Sequence, residues 1–238
     1  MDSMQQLQSY IDQSERIVFF GGAGVSTESG IPDFRSVDGL YSQTWKYPPE
    51  MIVSHSFFVS HPEDFYEFYR ERVLFLSAPP NAAHRKLAEL EEAGKLTAVI
   101  TQNIDGLHQA AGSQTVLELH GSVHRNYCVR CRKTYDITAL TETKGVPRCY
   151  CGGVIRPDVV LYEEALDPEV LRLSEHHIRE ADLLIVGGTS LAVYPAAGLL
   201  LAYNGPLVQI NMSETPQDKR ASLLIKDKIG EVLGQINV

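Results

Sequence analysis

The segment Ile17-Val18-Phe19-Phe20-Gly21-Gly22-Ala23-Gly24 constrains the fold of this chain more than any other. The apolar run reads as a buried strand. A strand that runs straight into glycines is where open α/β sheets place a cofactor pyrophosphate. Gly22 and Gly24 lack a Cβ, so backbone N–H groups there approach phosphate oxygens closely. The spacing departs from the usual dinucleotide fingerprint, because the next glycine, Gly30, comes too late, and a bare G-x-G does not by itself identify a nucleotide. The continuation Ile31-Pro32-Asp33-Phe34-Arg35 adds information. A carboxylate, an aromatic ring and a guanidinium in three successive positions are poor core material and point to a polar site beside the loop.

Further short apolar runs follow at Leu96–Ile100, Asp182–Val186 and Leu207–Ile210, the last ending at Asn211. Between them lie helical patterns. Pro62 to Leu76 begins with a proline suited to a first turn, Asn81 caps a helix through about Ala93 with Gly94 ending it, and Pro195 to Ala202 reads as helical. Strands and helices alternating at these lengths predict an α/β fold with a doubly wound, mostly parallel, Rossmann-like sheet. The rhythm breaks at 36–78, rich in aromatics, and at 123–155, which holds every cysteine. These two insertions are expected to form a smaller domain. The larger one then comprises 1–35, 79–122 and 156–238.

With 238 residues there is room for one large α/β domain carrying a sizeable insertion. A formal net charge of −9 argues against nonspecific nucleic-acid binding, which needs a positive footprint, and suits a basic partner such as a lysine-rich peptide. The first ten residues lack a signal-peptide core and no apolar run approaches membrane-spanning length. A cytoplasmic protein without membrane contact is expected, and a monomer, because no assembly segment stands out.

The four cysteines are Cys128 and Cys131, a C-x-x-C pair, and Cys149 and Cys151, a C-x-C pair, with 17 residues between the pairs. A reducing compartment disfavours two disulfides. Two such turns aim four thiolates at one point, the donor set of a structural Zn²⁺ with no position left for water. Unligated buried thiols or a redox pair are the alternatives, and the spacing favours zinc. The acidic chain disfavours a nucleic-acid-binding ribbon.

A second polar cluster, Thr101-Gln102-Asn103-Ile104-Asp105-Gly106-Leu107-His108, follows the second strand. Taken alone, Asn-x-Asp-Gly is also an ordinary turn. His120 ends another apolar stretch and is a candidate general base, since an imidazole titrates near neutrality. Residue type alone does not choose it among eight histidines.

Taken together, the motifs resemble the sirtuins. Gly22-Ala23-Gly24-Val25-Ser26-Thr27 with Gly30-Ile31-Pro32-Asp33-Phe34-Arg35 is similar to the first sirtuin signature. Thr101 to His108 is similar to the second, and His120-Gly121-Ser122 to the catalytic-histidine motif. The cysteine module, Gly187-Gly188-Thr189-Ser190-Leu191 and Ile210-Asn211 follow in matching order, so the resemblance runs from about Ile17 to Leu233. It implies an NAD-dependent protein-lysine deacetylase of the bacterial kind, with acylated lysine peptides as partners, NAD as co-substrate and structural zinc. The products are nicotinamide, O-acetyl-ADP-ribose and free lysine. By the same resemblance Ala23, Thr27, Phe34 and Arg35 contact NAD. Gln102 and Asn103 order the ribose and a water, while Ile104 and Asp105 hold the nicotinamide amide. Thr189, Ser190 and Asn211 hold the phosphate and adenosine half, with Ile229 an adenine contact. His120 is the base, and Val159 to Tyr162 pairs with the peptide backbone.

Three departures bear on specificity. Tyr162 and Glu163 stand where the family usually has Phe-Gly before a glutamate. The second cysteine pair is one residue shorter than is common. Tyr69-x-x-Arg72 resembles the pair that binds the acyl carboxylate in succinyl- and malonyl-removing sirtuins, yet Val53 stands where those enzymes carry alanine. Deacetylation is the expected main activity. Removal of acidic or longer acyl groups and protein ADP-ribosylation from the same NAD site are the alternatives.

Overall fold

The computed structural model describes residues 2–238. Helix α1 (Ser3–Gln13), capped by Asp2, leads into β1 (Ile17–Gly21), every residue of which is buried. The aromatic insertion contributes α2 (Pro49–Ile52), α3 (His55–Ser60) and α4 (Pro62–Phe68). Next come α5 (Ala82–Glu92), β2 (Leu96–Thr101), α6 (Leu107–Ala111), β3 (Val116–Glu118) and β4 (Gly121–Cys128). The cysteine region holds β5 (Thr134–Tyr135) and α7 (Thr138–Thr141), and β6 (Ile155–Val159) closes it. The chain finishes with α8 (Pro168–Glu180), β7 (Leu183–Gly187), β8 (Leu207–Ile210), β9 (Leu223–Ile225) and α9 (Ile229–Leu233).

Six strands form a parallel sheet in the order β3-β2-β1-β7-β8-β9. This is the doubly wound order, with its switch point between β1 and β7. Strand side chains alternate between two hydrophobic clusters. Ile17, Phe19, Leu183 and Ile185 face the α1, α5 and α9 side, while Val18, Phe20, Leu184 and Val186 face α8 and the 196–202 segment. Burying each such side chain contributes about 1.5–3 kcal/mol relative to exposure. The register aligns Gly21 with Thr101 on one side and Gly187 on the other. The loops after β1, β2 and β7 therefore emerge at one height.

A second sheet, β5-β4-β6, is antiparallel. Its inner face joins the aromatic helices in one cluster that includes Phe57, Phe65, Tyr66, Tyr69, Val123, Cys128, Cys149 and Ile155. The Tyr66 hydroxyl donates to the Ile155 carbonyl and ties α4 to β6. No helix among the described residues is long and apolar enough to cross a membrane.

Asn81 caps α5 as its sequence predicts, its side chain accepting from the Ala83 and His84 N–H groups. Two helices differ from expectation. The helix over 62–76 stops at Phe68 and widens into a π-helical turn, Tyr69–Val73, which keeps Phe65, Phe68 and Tyr69 all within the core. The segment 195–202 winds as a 3₁₀ run, Ala196–Ala202, in which Gly198 weakens any α-helix. Helices α1, α8 and α9 and the short β9 are additions that the run-and-glycine pattern does not announce.

Candidate active site

One cleft of about 610 Å³ lies across the carboxyl ends of β1, β2, β7 and β8, where open α/β sheets bind ligands. Ala23, Thr27, Phe34, Arg35, Gln102, Asn103, Ile104, Asp105, His120, Thr189, Ser190, Asn211 and Ile229 all line it. The sequence spreads these residues over two hundred positions, and the aligned strand ends gather them.

The glycines after β1 have a definite packing reason. A Cβ on Gly24 would stand 2.8 Å from Gly188 Cα, and one on Gly22 would stand 2.9 Å from Thr189 Cβ. The Gly24 N–H donates to the Gly188 carbonyl at 2.8 Å. Two strand-end loops thus interlock at the switch point, and Thr189 is held against the first loop. The Gln102 side-chain amide donates to Thr189 Oγ1 at 2.9 Å, and the Thr189 N–H donates to Asn211 Oδ1 at 2.9 Å. Asn211 Nδ2 is buried with no hydrogen-bond partner among the described residues. A buried amide donor left over at a cleft fits a polar ligand, because such a group is otherwise costly. The Glu28 carboxylate accepts from the Gly230 N–H at 2.6 Å and fixes the start of α9, hence Ile229, as the far wall.

On the other side, Asp105 Oδ2 accepts from Ser26 Oγ at 2.6 Å, and Asp105 Oδ1 accepts from the Leu107 N–H at 2.9 Å. Asn103 Nδ2 donates to Ser26 Oγ at 3.0 Å. Ser26 is the hub of this chain, 1% exposed, and sequence reasoning passed over it. Its only signal is its place inside Gly24-Val25-Ser26-Thr27.

His120 Nδ1 lies 2.9 Å from the Gln102 carbonyl. A carbonyl only accepts, so Nδ1 carries the proton and Nε2 keeps its lone pair. Burial lowers the His120 pKa below the ordinary imidazole value, partly offset by this hydrogen bond. The ring is therefore neutral at physiological pH and able to take a proton. Gly121 follows at φ +78, where a Cβ would overlap the Asp158 carbonyl, so a glycine after the histidine is a steric need.

The segment Val159–Tyr162 borders the cleft but is not a bare edge. Its N–H groups at Val160, Leu161 and Tyr162 donate to the His120 carbonyl, Glu164 Oε2 and the Val53 carbonyl. Strand addition through these amides is thus pre-empted, and the Val160 carbonyl is without a partner among the described residues. Glu164 is held at about 2: burial would raise it, but bonds from Arg156, the Leu161 N–H and His55 overcome that.

The cysteines lie apart from the cleft. All four Sγ atoms fall within 4.8 Å of one another, with Cys128 to Cys151 at 3.5 Å and Cys131 to Cys149 at 3.6 Å. These are too far for disulfides and close to the edges of a thiolate tetrahedron, about 3.8 Å for Zn–S bonds of about 2.3 Å. The shorter C-x-C pair closes the set without loss, and the Tyr135 hydroxyl donates to Cys149 Sγ at 3.0 Å. The donor set fits structural zinc.

A family model described as Sir2 family matches residues 22–195. A protein of Clostridium acetobutylicum named NAD-dependent protein deacetylase is 56% identical over 238 residues, covering 98% of this chain and 97% of that one. A solved structure of Sir2 with a deacetylated p53 peptide and 3′-O-acetyl-ADP-ribose superposes with a TM-score of 0.90 at 44% identity, covering 98% of this chain and 96% of that one. Another, of Sir2 with a p53 peptide and NAD⁺, gives 0.87 at 44% identity with the same coverage.

Proposed function

The chain belongs to the Sir2 family, and from that premise we propose how its cleft works as that of an NAD-dependent protein-lysine deacetylase yielding nicotinamide, O-acetyl-ADP-ribose and free lysine. The observation that carries the reading is His120: a neutral imidazole, oriented by the Gln102 carbonyl, on the wall of a cleft that spans the sheet's switch point. NAD supplies an electrophilic ribose carbon and, after nicotinamide leaves, ribose hydroxyls to receive the acyl group.

His120 Nε2 takes the proton of a ribose hydroxyl and so directs it to the acyl carbon. Asp105, fixed by Ser26 and the Leu107 N–H, holds the nicotinamide amide together with Ile104. Asn103, through the same serine, orders ribose and water with Gln102. Ala23, Thr27, Phe34 and Arg35 line the nicotinamide and phosphate side. Thr189, Ser190 and Asn211 hold the phosphate and adenosine half, the spare Asn211 Nδ2 supplying a donor, and Ile229 packs on adenine. The acyl-lysine peptide lies along Val159–Tyr162 and donates to the free Val160 carbonyl.

The Zn²⁺ held by Cys128, Cys131, Cys149 and Cys151 is structural. Residues 1–35, 79–122 and 156–238 act as the NAD-binding lobe, with 36–78 and 123–155 as the smaller one. Strands β4 and β6 run through the two boundaries of 123–155, so that insertion grows directly out of the larger lobe. We assign the protein to the cytoplasm, as a monomer binding neither nucleic acid nor membrane.

Incubation with NAD and a panel of acylated peptides, with mass spectrometry of peptide and nucleotide products, tests this. Loss of the acyl mass with formation of acetyl-ADP-ribose is expected. A gain of ADP-ribose mass on the protein target would mark a transferase instead. One observation favours a second acyl class. Tyr69 and Arg72 are among the residues lining the cleft, and the Tyr69 hydroxyl and Arg72 Nε are buried without hydrogen-bond partners among the described residues. Val53 lines the same cleft. A succinyl rate exceeding the acetyl rate and collapsing in Arg72→Ala would establish that reading.

A further inference from the structure

The wall along Val159–Tyr162 ends in a turn whose conformation a side chain adopts only at a cost. The Glu164 N–H donates to the Leu161 carbonyl at 3.1 Å, so 161–164 is a β-turn with Glu163 as its third residue. Glu163 has φ +75, whereas Tyr162 before it does not take a positive φ. A left-handed third residue after an ordinary second one is the mark of a type II turn, a place that calls for glycine. Arg132 and Leu191 are the other non-glycine residues with positive φ among those described, and of the three only Glu163 lines the cleft. The sequence departure at this position is therefore a departure in backbone cost, and strain of this kind persists where the surroundings over-determine it.

The surroundings are the start of α3. Glu163 Oε2 accepts from the Ser56 N–H at 2.9 Å, and Oε1 accepts from the Ser56 hydroxyl at 2.9 Å. The preceding residue is tied to the same stretch: the Tyr162 N–H donates to the Val53 carbonyl and the Tyr162 carbonyl accepts from the His55 N–H, each at 3.0 Å. In a planar trans peptide the C=O and the following N–H point in opposite directions. With the Tyr162 carbonyl aimed at His55, the Glu163 N–H faces away from α3. It has no hydrogen-bond partner among the described residues, and neither has the Val160 carbonyl. One donor and one acceptor are thus left on the peptide-side wall. The form of the turn decides where the donor points, because a type I turn would rotate that peptide by about half a turn.

We propose that Glu163 is a positioning residue for the acyl-lysine peptide: by clasping Ser56 it holds the 161–164 turn in the type II form, which offers the Glu163 N–H to the substrate backbone. This rests on the deacetylase reading and extends it to the peptide side. A glycine at 163 would reach the same form through conformational freedom alone. A glutamate reaches it because two hydrogen bonds to its carboxylate offset the left-handed cost. An alanine would keep the cost and lose the clasp, so the turn would relax toward type I and withdraw the donor. Only a substrate with flanking backbone has a peptide carbonyl to pair with that donor, so the acyl group itself does not feel the change.

The test is steady-state kinetics at saturating NAD on the native chain, Glu163→Ala, Glu163→Gly and Glu163→Gln. Two substrates are used: an acetyl-lysine peptide with several residues on each side, and Nε-acetyl-lysine, which has no peptide bonds. Glu163→Ala should raise the peptide KM by about three- to tenfold, the left-handed penalty less what the His55 bond retains, with kcat little changed. Its kcat/KM on Nε-acetyl-lysine should match the native value. Glu163→Gly, free to form the turn, and Glu163→Gln, which keeps an acceptor for the Ser56 N–H, should stay within about twofold of the native peptide KM. Residue 163 is exposed on a turn, so these substitutions leave the core intact. A peptide KM unchanged in Glu163→Ala overturns the clasp, and so does a lower melting temperature without a change in that KM. An equal KM rise in Glu163→Gly would assign the effect to the lost charge, and an equal loss on Nε-acetyl-lysine would assign it to the acyl pocket; either overturns the turn as the cause. Absence of deacetylation by the native chain on both substrates would instead overturn the deacetylase reading, and the clasp's role with it.

Discussion

The six-stranded sheet and the three-stranded one bury their strands by different means. In the large sheet β1 and β7 are buried along their whole length, with helices on both faces supplying two hydrophobic clusters. In the small sheet β4 mixes buried and exposed residues, with two exposed in succession, and β5 has only two residues. A sheet of three strands needs an apolar face or a packed helix to be stable. This sheet has one covered face, and that cover is the aromatic helices from a different part of the chain, with four thiols closing the far end. The large sheet is thus stabilised by its own pattern, the small one by a shared cluster and an ion. The cleft lies where the two meet.

The largest expected effect separates them directly. Zinc binding is itself folding free energy in modules of this kind, on the order of 10 kcal/mol. Chelation, or Cys128→Ser, should melt β4, β5 and β6 and abolish deacetylation, while amides of β1, β2 and β7 keep their hydrogen-exchange protection. Protection persisting in β4 without metal would break the comparison.

Next is the chemistry at the seam. His120→Ala should lower turnover by about 10²- to 10⁴-fold, the span of general-base catalysis, with NAD affinity and melting temperature little changed. Turnover near the native level would remove this ring from the mechanism. Truncations sharpen the contrast within the cores. Phe20→Ala and Phe65→Ala should each cost about 3–5 kcal/mol. Phe20→Ala should appear in the exchange of the whole chain, whereas Phe65→Ala should loosen chiefly α3, α4 and β6. Identical exchange patterns would show that the two sheets unfold as one unit.

Two pH effects are smaller. The Glu164 carboxyl ties β6 to α3 and is held at about 2 against an ordinary 4.5. A depressed carboxyl contributes stability that is complete above its unfolded value and is lost as pH falls through its folded one. The loss attributable to this tie should therefore fall between about 4.5 and 2, and Glu164→Gln should flatten it in acid-unfolding curves. For His120, burial depresses the imidazole, so the base stays competent as pH falls past about 6.5, the ordinary value. The acidic limb of kcat/KM should lie below that value, and a limb above it would contradict the burial seen here.

Much of the large sheet was legible. Ile17–Phe20 and its glycines, the runs at 96–100 and 207–210, and Asn81 as a cap are local signals that local physics obeys. The C-x-x-C and C-x-C pairs were equally plain, since two turns suffice to converge their sulfurs. The ends of the aromatic segment were not. Tyr69–Val73 widens into a π turn because the cluster beneath needs Tyr69 and Phe68 together, a demand that residues far away impose. Ser26 gave no warning either: a buried serine within a glycine loop looks like any capping hydroxyl until Asp105 and Asn103, 79 and 77 positions on, arrive beside it.

By itself the sequence determined the parallel sheet, the position of the ligand loop and the thiolate set, because each depends on residue type at spacings of a few positions. Only the tertiary structure decided how the polar groups of the cleft pair with one another, as Ser26 does with Asp105 and Asn103. The register that levels Gly21, Thr101 and Gly187 places the loops after them side by side, and the packing of an aromatic insertion onto β4 and β6 brings Tyr41 to Tyr162. The physical reason is range: periodicity and capping act within a turn or a strand, whereas hydroxyl and carboxylate partners more than seventy residues apart have no pattern to betray them until the chain has closed.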